Sequence, residues 1–190
     1  MTQQRIRRRK SLKQFLRDRR GTLAVEMAMA TPVIFGLLVA GVEVTRYVLL
    51  HQKVERTSAT MADLVSQAHT LSETGLNNLF AAGTQVMAPY KLADGGRVIV
   101  SSIVNATGSQ ATISWQRSYG ASAGGSAFGT EGGNANLPTD FIVRSGENVI
   151  AVEVHFEYQP MLTTAAVTTQ NVYKIALFRP RFGSLATLSP

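Results

Sequence analysis

The sequence predicts an α+β chain, in which a long N-terminal apolar helix continues into a small domain made of a second helix and an antiparallel sheet. Three observations predict it. The uncharged run Met27–Val42 follows a strongly basic start. Apolar residues then recur at helical spacing as far as Ala68, and beyond Pro89 the apolar period changes to two.

The charge is uneven. The chain has 190 residues, no cysteine and a net charge of +7. Residues 1–21 hold nine basic residues against Asp18 alone, a net +8, so the remaining chain is −1. A near-neutral body argues against a nucleic-acid-binding fold, and the reading assigns no nucleic acid as partner. A basic run beside an apolar stretch more often sets membrane orientation than it contacts nucleic acid. The absence of cysteine excludes disulfides, thiolate metal sites and cysteine nucleophiles.

From Leu23 to Leu50 polarity is confined mainly to Glu26, Thr31, Glu43, Thr45 and Arg46. At about 1.5 Å per residue this stretch spans roughly 40 Å, enough to cross an apolar core of about 30 Å. The competing reading is a buried core helix. Sixteen uncharged residues beside a +8 tail favour the membrane, and lipid is the implied partner. Pro32 should kink the helix, which a membrane tolerates. The positive-inside rule places the basic tail in the cytoplasm and the C-terminal part outside it. A cleaved secretory signal does not fit, because the long apolar run follows the small-residue motif Ala28-Met29-Ala30 instead of preceding it.

The two carboxylates in this stretch differ. Glu43 has Arg46 three residues on, on the same helical face, and the two form a candidate pair at the membrane exit. Glu26 has no local cation after Gly21. A carboxylate in an apolar setting is costly without a partner.

The stretch Arg19-Arg20-Gly21-Thr22-Leu23-Ala24-Val25-Glu26 is similar to a type IV prepilin processing site. With Pro32, Gly41, Glu43-Val44-Thr45-Arg46 and Ala62-Asp63-Leu64-Val65, residues 17–67 resemble the TadE/TadG-like family of the tight-adherence (Tad/Flp) pilus system. The resemblance implies a minor pilin or pseudopilin in the bacterial inner membrane, with a cytoplasmic N-terminus and a pilin-like periplasmic domain. It implies cleavage by a prepilin peptidase between Gly21 and Thr22, with Glu26 neutralising the new Thr22 ammonium of a neighbouring subunit. The implied partners are that peptidase, other pilin or pseudopilin subunits and the pilus assembly platform. Met27 stands where major Flp pilins have Tyr, which points to a minor subunit. Two alternatives stay open: an uncleaved, membrane-anchored accessory protein of the same machine, and an envelope ligand-binding domain.

The domains expected are a basic cytoplasmic leader over residues 1–21, a transmembrane helix over 22–50 and a periplasmic domain over 51–190. Tyr47, Leu50, Val54, Ser58, Met61, Val65 and Ala68 define one face of the continuing helix. A second helix runs from about Glu73 to Ala88, with Leu76, Leu79, Phe80, Gly83 and Met87 on one side, and Pro89 ends it. Arg97–Asn105 and Ala111–Arg117 form a hairpin, Val149–Tyr158 a third strand and Asn171–Arg179 a fourth. Along the third strand Val152, Val154, Phe156 and Tyr158 face inward, leaving Glu153, His155 and Glu157 on a solvated face.

Residues 119–136 are glycine-rich and read as a turn-rich surface loop, without a phosphate-loop or dinucleotide fingerprint. His51, His69 and His155 have no metal-ligand spacing, and only a weak cation site beside Glu153 and Glu157 suggests itself. Trp115 reads as core, and Asn105-Ala106-Thr107 as a chance glycosylation motif. No cofactor, metal or catalytic residue is expected, and the chain reads as a non-enzyme.

Overall fold

The computed structural model of the chain describes residues 21–161 and 168–189; the basic leader as far as residue 20 lies outside them. Helix α1 spans Thr22–Ser66 and continues through Pro32. It is followed by α2 (Glu73–Met87), the single turn α3 (Leu92–Gly95), and strands β1 (Gly96–Val104), β2 (Thr112–Gly120), β3 (Asn148–Tyr158) and β4 (Gln170–Phe178). The chain divides into two compact units, one ending at Val44 and the other running from Thr45.

In the second unit the four strands form one antiparallel sheet in the order β2-β1-β3-β4. Helices cover one face. Leu50, Val54, Met61 and Val65 of α1 and Leu76, Phe80 and Met87 of α2 bury against Val100, Trp115, Val152 and Val154. This is the predicted stripe, and each such side chain contributes roughly 1.5–3 kcal/mol of burial. Ser72 caps α2, its hydroxyl accepting from the Gly75 N–H at 3.1 Å. Gly83 faces Met61, where a Cβ would lie 2.8 Å from the Met61 sulfur, so glycine sets how closely the two helices approach.

The hairpin contains a register shift between Ser102 and Ile103, which leaves Ser114 as an extra residue in β2. The bulge reverses side-chain parity. Trp115 therefore points to the helix layer, while Ile113 points to the opposite face with Ile103, Val149 and Ala151. The Trp115 indole N–H donates to the Leu185 carbonyl at 2.8 Å, in agreement with its reading as core.

That opposite face is only partly solvated. The 27-residue connection from β2 to β3 folds back over it and inserts Phe128 and Val143, both buried. Its backbone also covers part of the outer edge of β2: Ile113 N–H donates to Gly133 O at 2.9 Å, and Gly132 N–H to Ile113 O at 2.7 Å. Arg117 clamps the loop by pairing with both Glu131 (2.9 Å) and Glu73 of α2 (2.7 Å).

The solvated placement of Glu153 and His155 is accordingly corrected, because the connection covers them. Glu153 is fully buried. Its carboxylate accepts from the Ser126 hydroxyl, from the Ala127 N–H at 2.7 Å and from the Tyr173 hydroxyl at 2.7 Å. Three donors replace the water it loses. Burial, reinforced by the Glu153 carboxylate, raises the Tyr173 pKa. His155 is 8% exposed and lies 4.5 Å, ring to ring, from Tyr173. Burial lowers its pKa; Glu153 opposes this, and Arg97 adds to it. Glu157 is exposed as expected.

The segment after β4 closes one end of the core. Ser102 Oγ donates to Leu185 O at 2.9 Å, and Leu185 N–H to Asn148 Oδ1 at 3.0 Å. Arg181 pairs with Asp63 of α1 at 2.6 Å.

Candidate membrane anchor and processing site

Between Thr22 and Val44 the helix has only Glu26 and Glu43 as charged residues. A helix so apolar normally buries one side. Here Leu23, Val25, Met27, Met29, Val33, Ile34, Phe35, Leu37 and Leu38 are each more than half exposed. These positions lie all round the helix, so no single contact within a protein domain would cover them. The segment is long and apolar enough to cross a membrane. Its polar groups are handled locally: the Thr31 hydroxyl donates to the Met27 carbonyl at 2.6 Å, one turn back and beside Pro32.

Gly21 is exposed and immediately precedes α1, and nothing lies within 4 Å of where its Cβ would be. Thr22 opens the helix, and Glu26 follows four residues later, one turn on and on the same side. All three are exposed. The candidate peptide bond Gly21–Thr22 thus sits at an accessible helix start, with a carboxylate one turn away.

A family model described as TadE-like protein matches residues 21–63. Over residues 21–63 the chain is similar to TadE-like proteins. The match begins at Gly21 and ends within the domain-facing half of α1, about a quarter of the chain. No curated protein and no solved structure is matched by this sequence. The matched residues therefore include both the apolar stretch of α1 and most of its domain-facing half.

Glu43 and Arg46 stand three positions apart on α1, the spacing of helical neighbours. The Arg46 carbonyl accepts the Tyr90 hydroxyl at 3.0 Å, which ties this turn to the end of α2. Beyond the TadE-like segment, no group of three His, Asp or Glu among the described residues could hold a metal ion. Asn105 is buried; its side chain donates to Val143 O and accepts from Gly108 N–H, each at 2.8 Å, so it is a turn-forming residue.

Sequence reasoning missed one polar cluster, made by Arg97 and His155 directly opposite each other in the β1–β3 register, with Glu153 two residues away. The available signal was the alternation Glu153-His155 on the same face as Arg97, next to a glycine-rich connection able to lie flat on it.

Proposed function

We propose that this chain is a minor pilin or pseudopilin of a Tad/Flp-type pilus, inserted in the inner membrane with its basic leader in the cytoplasm and its sheet domain in the periplasm. The observation that carries this reading is the TadE-like segment beginning at Gly21, joined to an apolar helix exposed on all sides. Such a surface suits both states of a pilin: lipid covers it before assembly, and the same helices of other subunits cover it afterwards.

A prepilin peptidase cuts between Gly21 and Thr22, where glycine lets the enzyme approach the backbone. The cut creates an ammonium at Thr22 in an apolar setting. The Glu26 carboxylate of a neighbouring subunit then neutralises it, and the apolar surroundings strengthen the pair where its geometry offsets desolvation. The role is structural, with no reaction carried out by the chain itself. Its partners are the peptidase, other pilin subunits and the assembly platform.

Intact mass of the protein from its native membrane tests the reading. A start at Thr22, lost in Gly21→Ala, is expected. Glu26→Leu should insert normally and fail to support piliation. A start at Met1 in the native membrane would overturn cleavage, and piliation by Glu26→Leu would overturn the neutralising role.

A further inference from the structure

A cleft of about 440 Å³ lies on the face of the sheet away from the helices, between the sheet and the glycine-rich connection. Its floor is Arg97 and Ile99 of β1 with Gln116 and Ser118 of β2; Gly124, Gly125 and Thr130 form the opposite wall. This is the size of a small-ligand site.

Arg97 supplies its charge. Among the described residues it makes no ion pair, and its Nε is buried without an acceptor. Its terminal nitrogens donate only to neutral oxygens, Ser122 O at 3.4 Å and Ser118 Oγ at 3.2 Å. The acids nearby are already engaged: Glu153 by Ser126, Ala127 and Tyr173, and Glu131 by Arg117 and the Gln116 N–H. His155, opposite Arg97, is more than nine-tenths buried and carries no charge partner that Arg97 could share. It packs beneath Gly124, where a Cβ would come within 3.0 Å of the ring. The site thus holds one uncompensated guanidinium, which matches one negative charge presented by a planar, bidentate acceptor.

The cleft also adjoins a backbone edge. The connection covers the outer edge of β2 from Ala111 to Gln116. Alternation along the strand then turns the Ser118 N–H and C=O outward, and Ser118 is exposed. Arg97 reaches over β2 to that residue. A carboxylate beside an open strand edge is what the end of an extended peptide presents.

We propose that this cleft captures the C-terminal carboxylate of an extended peptide, with the carboxylate on Arg97 and the peptide backbone paired along β2 at Ser118. The site is independent of whether the chain is cleaved or enters a filament. The test uses the full chain in detergent micelles and a degenerate, N-terminally fluorescent pentapeptide pool, as the free acid and as the C-terminal amide. Anisotropy should show the acid binding at least about tenfold tighter, the smallest effect expected of a charge-assisted hydrogen bond. Arg97→Gln should abolish that preference, and Arg97→Lys should keep part of it. Ser118→Pro, which removes one outward N–H at an edge that tolerates proline, should weaken the acid pool with Arg97 intact. Thermal melts confirm that each variant is folded. Equal binding of acid and amide, or an acid preference that survives Arg97→Gln in a folded protein, overturns the proposal. Full competition by equimolar acetate or N-acetylmuramic acid also overturns it, showing an anion or acidic-sugar site without peptide recognition.

Discussion

The two halves of α1 belong to one uninterrupted helix and solve opposite problems. From Thr22 to Val44 large apolar side chains are exposed on all sides; from Leu50 to Ser66 the apolar stripe is buried on the sheet, and of the large apolar residues Leu64 alone is exposed. The difference lies in where polar residues fall. In the second half Lys53, Glu55, Arg56 and Asp63 occupy the outer positions, so a protein core satisfies the rest. In the first half no such outer face exists, and only lipid or other apolar helices suffice. The same secondary structure therefore presents an apolar surface on all sides at one end, as a membrane span requires, and serves as a core element at the other.

The largest expected break in this contrast is Met61→Ala. Met61 is fully buried, and its loss should cost the sheet domain about 2–5 kcal/mol. Thermal unfolding in detergent should register the loss, while carbonate extraction shows unchanged membrane insertion. Phe35→Lys should do the reverse. A lysine in the middle of the anchor costs about 3 kcal/mol of insertion, so extractable protein should increase while the melt of the domain stays in place. If either variant altered both readouts, the two halves would not be energetically separate.

A smaller effect sharpens the domain side. Gly83→Ala places a methyl against the Met61 sulfur and should cost about 1–3 kcal/mol. In a double-mutant cycle with Met61→Ala the penalty should shrink, because the opposing atoms are gone; strict additivity would remove the contact as the cause.

The mildest prediction concerns pH. Burial holds the His155 pKa below its ordinary value of 6.5, with Glu153 opposing and Arg97 adding to the shift. The unfolded chain then takes up a proton that the folded domain refuses. The contribution of His155 to stability is full above the unfolded pKa and declines as pH falls through about 6.5. Melts between about pH 7.5 and 5.5 should show this decline, and His155→Gln should flatten it. An unchanged slope in the variant would assign the decline to other groups.

Much of this architecture was legible in the residues themselves. The uncharged run Met27–Val42, the stripe from Leu50 to Val65, the Pro89 stop and the period-two runs each carry a local periodicity, which is why the helix and strand positions agree with the structure. Gly21, Thr22 and Glu26 stand out for a similar reason, since the motif is contiguous, and the family match begins at Gly21. The face of β3 was not. Alternation assigned Glu153 and His155 to solvent because a lone strand cannot report what lies above it.

The sequence by itself determined the long apolar helix, the helix–sheet order and the apolar face of the helices, because these follow from residue spacing along one stretch of chain. Only the tertiary structure decided that the glycine-rich connection folds back over the second face of the sheet. It also decided that a bulge at Ser114 sends Ile113 and Trp115 to opposite layers, and that Arg97 meets His155. Those outcomes depend on hydrogen bonds and packing between residues far apart in the chain, such as Glu153 with Tyr173 and Trp115 with Leu185. No local period encodes such pairings.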